Sequence, residues 1–254
     1  MGIEKNKIAF FIQARLGSTR LPGKVLLPFY ENNSILDLLV QNIKSNFSNI
    51  SLVLCTSINN SDDLIAGFCK KKGIDCFRGS ENNVLGRFLE ASDFYNVSTI
   101  VRVCADNPFL DILFLKELLD FYFDNPNADY WSFKNDEGIP VIKTHYGFFA
   151  EIVSKKALQA VLEETDDNLY LEHVTNFIYS QSGFEVKLKS LPHYLKNRTD
   201  LRFTIDDIDD FENLKPVYQY YKNNNQDIQK TILFVDGNSR IKNKMIANIK
   251  KYSK

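Results

Sequence analysis

Short apolar runs alternate with stretches of helical periodicity through the first half of this chain, and that alternation limits the fold more than any other feature. Ile8–Gln13 (IAFFIQ) is a continuous apolar run of strand length. Residues 35–47 then set Ile35, Leu36, Leu38, Leu39, Ile43 and Phe47 at helical spacing. Residues 51–55 (SLVLC) predict a second strand, 62–72 a helix that stops at Gly73, and 75–77 a short strand. A helix over 84–95, a strand over Thr99–Cys104 and a helix over 112–123, closed by Pro126, continue the rhythm. Strands that are apolar throughout bury both faces, which calls for an α/β fold with a mostly parallel sheet and helices on either side. Ligands of such sheets sit beyond the carboxyl ends of the strands. One strand ends at Gln13 and another at Cys104, each followed by a polar loop, so a cleft is expected where those loops meet.

The second half is less regular. Residues 128–133 and 147–153 read as strands, and Ser154 as the N-cap of a helix over Lys155–Glu164. Residues 169–180 read as one helix, 184–191 as an alternating strand and 201–205 as a further strand. Ile208–Asn223 and Ser239–Tyr252 read as amphipathic helices. No internal repeat divides the chain, and 254 residues suit a single domain over 1–254.

The bulk numbers exclude several classes. There are 31 Lys and Arg against 32 Asp and Glu, a net charge of -1, so no nucleic-acid partner is expected. Residues 1–6 are polar, and the apolar run of 8–12 is too short for a leader or a membrane span. Met1-Gly2 is followed by Asn6 where N-terminal acylation wants Ser or Thr. Cys55, Cys69, Cys76 and Cys104 form no CxxC pair and no Cys/His metal spacing. Reduced thiols and a cytoplasmic location are therefore expected.

The loop after the first strand reads Gln13-Ala14-Arg15-Leu16-Gly17-Ser18-Thr19-Arg20-Leu21-Pro22-Gly23-Lys24. A triphosphate needs backbone N–H donors and fixed positive charge. Gly17 permits close approach of the backbone, Ser18 and Thr19 add hydroxyl donors, and Arg15, Arg20 and Lys24 supply cations. Pro22 and Gly23 restrict the path so that Lys24 folds back. The order is not that of a Walker A loop.

This string resembles the opening motif of the cytidylyltransferases that activate acidic sugars, most closely their SpsF-type branch, approximately QAR-x-x-S-x-RLPGK. Phe77-Arg78-Gly79-Ser80 with Asn83-Val84-Leu85-Gly86-Arg87 is similar to the family's RGS…DVLDR element, with Asn83 and Gly86 at positions that often hold Asp. Arg102 through Phe109 is similar to R-x-x-GD-x-P-[LF], with Ala105 in place of Gly. Arg202 through Asp210 is similar to R-x-TVD-x-x-x-D, and Glu172-His173-Val174-Thr175 to REHVT with Leu171 for Arg. Residues 147–154 resemble GLDVEVFS, keeping Glu151 but carrying Phe149 where Asp is common.

The resemblance implies a Rossmann-like nucleotidyltransferase fold of glycosyltransferase-A type. A dimerisation or acceptor-side insertion is expected over 128–151, and with it a homodimer. It implies transfer of CMP from CTP to an acidic sugar or related acceptor in glycan precursor synthesis, with Mg²⁺ as cofactor and release of pyrophosphate. Arg15, Arg20 and Lys24 become the catalytic cations, and Gln13, Ala14, Gly17, Ser18, Arg78, Arg87 and Arg102 the nucleotide contacts. Asp106, Asp206 and Asp210 become the metal ligands, with helix capping the competing reading for Asp210. Glu151, Glu172, His173 and Thr175 are the expected acceptor contacts, and a structural role competes for Glu172 and His173. On a helix Glu172 and Thr175 would share a face. Asp207 and Asp209 read as solvated. The rival functions are a transferase using another nucleotide or a phosphorylated alcohol, and a non-catalytic nucleotide-binding homologue.

Overall fold

The computed structural model describes residues 7–252, so the polar segment over 1–6 and the reading attached to it lie outside the described residues. Its centre is a seven-stranded sheet in the order β5-β4-β1-β6-β8-β7-β9. The strands are β1 (Ile8–Gln13), β4 (Ser51–Ser57), β5 (Asp75–Gly79), β6 (Thr99–Cys104), β7 (Tyr130–Lys134), β8 (Glu151–Ser154) and β9 (Val186–Ser190). β1 pairs in parallel with β4 and β6, β4 with β5, and β7 with β9, while β8 runs antiparallel to both its neighbours. The mostly parallel α/β sheet expected from the apolar runs is therefore present.

Alternate residues of each strand feed two cores, as the period of two requires. Phe10, Ile12, Leu52, Leu54, Val101 and Val103 face one side. There they meet α1 (Ile35–Asn46), α2 (Asp63–Lys72), α4 (Ile112–Asp124), α8 (Ile208–Asn223), α9 (Ile228–Asp236) and α10 (Ser239–Tyr252). Ala9, Phe11, Val53, Cys55 and Ile100 face the other side, against α3 (Val84–Phe94) and α5 (Lys155–Glu164). Two short helices, α6 (Asn168–Glu172) and α7 (Asn176–Ser180), lie beyond α5. α1 starts with a capping box, Ser34 Oγ accepting from the Asp37 N–H and Asp37 accepting from the Ser34 N–H. In α3 the Asn83 side chain accepts from the Gly86 N–H at 2.7 Å. A Cβ at residue 86 would fall 2.7 Å from the Asn83 amide, which accounts for a glycine inside the first turn.

Several local readings need correction. Residues 201–205 are extended but join no ladder; the Phe203 N–H donates to His145 O and the Ile205 N–H to Asp106 O. Strand β8 starts only at Glu151, and 147–150 is irregular. The single helix expected over 169–180 is broken between α6 and α7, where Val174 takes φ 38. Burial of Val174 and Thr175 holds that break, so Glu172 and Thr175 do not share a helical face. The ribbon of β2 (Pro28–Tyr30) with β3 (Asn33–Ser34) and the helix α9 were not expected. β2 and β3 are too short to display a period, and the apolar run in α9 fits strand or helix equally well.

Candidate active site

Gln13 pairs with Cys104 across β1 and β6, so the loops after these strands emerge side by side. The loop after β1 folds on itself: the Ser18 and Gly23 N–H groups both donate to Leu16 O, at 2.8 and 3.0 Å. Asp62, which is buried, pins it by accepting from the Leu16 N–H at 2.7 Å and from Ser57. Nothing in the local sequence marks Asp62, because its partners come from two other segments.

The fold-back carries Lys24 across the cleft. Its Nζ donates to Ile205 O, lies 3.4 Å from Asp106 Oδ2 and 3.8 Å from Asp206 Oδ1. Arg20 donates to Asp206 Oδ1 at 2.9 Å, and Arg15 to Glu172 Oε1 at 3.0 Å. The three loop cations therefore all rest on carboxylates. Asp206 is also held from behind, its Oδ2 accepting from Arg202 at 2.7 Å.

Arg202 is fully buried and organises this corner. It donates through two nitrogens to Asp210, at 2.7 and 2.8 Å, and through a third to His145 Nδ1 at 2.7 Å. A guanidinium has no acceptor, so His145 Nδ1 must accept and its proton sits on Nε2. Burial, then the Arg202 charge, push the His145 pKa below its ordinary value, so the ring is neutral at pH 7. Asp210 further accepts from Asn248 and from the Asp206 N–H. With both oxygens engaged and the side chain 4 % exposed, Asp210, expected among the metal ligands, borders neither cleft described below and anchors Arg202 instead. Asp207, expected to be solvated, is buried as the N-cap of α8.

A second buried pair lies at the start of the loop after β1. Arg102 donates to Gln13 Oε1 at 2.9 Å and to Glu151 Oε1, while Tyr130 and Thr175 hydroxyls also donate to Glu151. Glu151 and Thr175, expected as acceptor contacts, are buried and border neither cleft described below. Arg78 spends its donors on Ser57 O, Asn59 O and Asp63, and Arg87 is buried against Ser80 O. Neither arginine borders the loop's cleft, which the motif resemblance did not anticipate.

Two clefts meet at the strand ends. One, of about 290 Å³, is bordered by Gln13, Ala14, Gly17, Ser18, the loop cations, Arg102, Glu172 and His173. The other, of about 250 Å³, is bordered by Asn107, residues 141–145, Gly147, Phe149, Ala150 and Thr204. Cys104, Asp106 and Asp206 border both. Gly147 (φ +67) shapes the second cleft: a Cβ there would lie 2.8 Å from the Phe203 backbone. Glu172 and His173 thus sit on the loop's side, not on the side expected for an acceptor. Among the described residues no group of three or more His, Cys, Asp or Glu could hold a metal ion. Asp106 and Asp206 alone still suit Mg²⁺, which takes one or two carboxylates and completes its shell with water and phosphate oxygens.

The site thus sets a cation-rich loop at the end of β1 against two carboxylates. The cytidylyltransferase family model matches residues 9–234. SpsF, the spore coat polysaccharide biosynthesis protein of Bacillus subtilis, is 34% identical over 221 residues, covering 84% of this chain and 87% of its own. An uncharacterised protein of Methanocaldococcus jannaschii is 36% identical over 238 residues, 93% of each chain. A cytidylyltransferase structure from Leptospira borgpetersenii superposes with a TM-score of 0.81 at 28% identity, over 93% of this chain and 97% of that one. CMP:2-keto-3-deoxy-manno-octonic acid synthetase, solved with CTP, shares the fold at a TM-score of 0.63 and 13% identity, over 84% and 99%. The chain belongs to the cytidylyltransferase family and is a CTP-dependent nucleotidyltransferase. Its four cysteines are free, and among the described residues no helix is long and apolar enough to cross a membrane.

Proposed function

We propose that this enzyme transfers CMP from CTP to a hydroxyl of an anionic, sugar-like acceptor, with Mg²⁺, in surface polysaccharide precursor synthesis. The observation that carries the reading is the sharing of Asp106 and Asp206 by the two clefts. A triphosphate on the loop and an acceptor in the second cleft would then meet at the same pair of carboxylates. The acceptor oxygen attacks the α-phosphorus, the bond to the β-phosphate oxygen breaks, pyrophosphate leaves, and the hydroxyl proton passes to solvent. Asp106 and Asp206 would hold Mg²⁺, which when bound neutralises phosphate charge and lowers the acceptor hydroxyl's pKa. Arg15, Arg20 and Lys24 exchange their carboxylates for phosphate oxygens and neutralise the leaving group. Gln13, Ala14, Gly17 and Ser18 border the nucleotide, with Arg102 beneath it.

The second cleft supports this choice of acceptor class. Among the described residues Lys143 is the one cation on its border, and the buried Asn107 Oδ1 and Thr204 Oγ1 have no hydrogen-bond partner there. Unpaired buried polar atoms call for a ligand's hydroxyls, and Lys143 for its anionic group. Phe149 packs on Phe114 and Phe133 with ring centroids 4.7 and 5.1 Å apart, so the wall where relatives often carry Asp is rigid and apolar here. SpsF, named for spore coat polysaccharide biosynthesis, supports the polysaccharide setting. Free thiols fit a cytoplasmic enzyme. Dimerisation through residues 128–151 belongs to the same proposal, and light scattering on purified protein tests it.

The test of the reaction is pyrophosphate release from CTP and Mg²⁺ across a panel of sugar acids, sugar phosphates and phosphonates. Release only with neutral acceptors, or with UTP or GTP in preference to CTP, would sink the reading.

A further inference from the structure

The family model's match ends at residue 234, before α10 begins, yet α10 packs on residues that flank the cleft. Asn248 donates to Asp210 at 2.8 Å, and Lys251 Nζ and the Tyr252 hydroxyl donate to Asp207 Oδ2 at 2.8 and 2.6 Å. The Tyr252 ring lies beside the loop cation Arg20. The Arg20 guanidinium carbon lies 4.6 Å from the ring centroid, and that of Arg202 lies 5.2 Å away. Arg202 is fixed by its buried partners. Arg20 is not: its side chain is 45% exposed and reaches across the cleft from the loop. A long exposed side chain samples many rotamers, and an aromatic face within about 6 Å narrows that range.

We propose that Tyr252 is a positioning residue for nucleotide binding, its ring face holding the Arg20 guanidinium at the cleft so that an incoming triphosphate meets an oriented cation. The C-terminal helix is thereby a working part of a site whose recognisable motifs all lie upstream of it. The inference rests on the reading of Arg20 as a triphosphate contact.

A double-mutant cycle read by calorimetric CTP affinity in magnesium buffer tests it. Tyr252→Leu should weaken CTP about threefold to fivefold, the scale of an exposed cation–π contact, while Tyr252→Phe, which keeps the ring, stays within about twofold. In an Arg20→Ala background Tyr252→Leu should have no further effect. Wild-type affinity in Tyr252→Leu overturns the proposal. So does an equal loss in the Arg20→Ala background, which would mark a general disturbance of the 206–210 loop, and so does a Tyr252→Phe loss matching that of Leu. Absence of CTP binding by the wild type is a separate outcome that overturns the nucleotide reading of Arg20 and this inference with it.

Discussion

Asp210→Asn separates the reading of that residue as a metal ligand from its reading as the anchor of a buried arginine. The Asp210 carboxylate takes both strong donors of Arg202, whose side chain is fully buried, as well as Asn248 and the Asp206 N–H. Removing one charge of such a buried pair costs about 3–5 kcal/mol, and the low end applies because Arg202 keeps Asp206 as a second carboxylate partner. For a chain of this size each kcal/mol shifts the melting temperature by about 2–4 °C. Asp210→Asn should therefore melt at least about 6 °C below wild type. Assayed below its melting point, it should need no more than about twice the wild-type magnesium for half-maximal pyrophosphate release. Melting curves and magnesium titrations on the same preparations make the comparison. A variant that melts within a degree of wild type, but recovers its activity only when magnesium is raised many-fold, refutes the argument and restores Asp210 to the metal site.

Asp106→Asn should behave in the opposite way: it is only partly buried and meets Lys24 alone, so the melting point holds while turnover falls about 100-fold or more; rates near wild type would remove it from the site. Lys143→Met should raise the KM for the acceptor about tenfold and leave that for CTP unchanged, as steady-state kinetics with each substrate varied will show. His145 has a folded-state pKa held below its unfolded value, so the unfolded chain binds more protons and stability is lost as pH falls below about 6.5. Replacing it with Gln should flatten the fall in melting temperature between about pH 7 and pH 5; an unchanged slope would show that other groups dominate.

The first half of the fold was legible because its strands are buried on both faces and its helices on one, and the two periods differ. The cation-rich loop after β1, which we propose holds the triphosphate, was legible for a different reason. Phosphate binding demands particular residue types close together in sequence, and the demand is met within Gln13–Lys24. The second cleft was not legible, since Asn107, Lys143, His145 and Thr204 come from irregular segments brought together by the approach of Gly147 to the Phe203 backbone. Nor does a valine announce a positive φ. Val174 adopts one because burying it, with Thr175 on Glu151, outweighs continuing the helix. The run Asp206-Asp207-Ile208-Asp209-Asp210 looked solvated in part because no local signal says that α10 will cover it.

Lys24, Arg20 and Arg15 each lean on a carboxylate at the cleft, and Asp206 is shared by two of them. Each of these groups is thus another's counterion. Deleting Lys24 frees Asp206 to draw Arg20 closer, and deleting Asp206 takes a shared carboxylate from both cations. Losses measured one residue at a time will not sum to the loss from removing the set, because each deletion re-partners the survivors. A rate attributed to any single member of this cluster describes the rearranged remainder as much as the group that was removed.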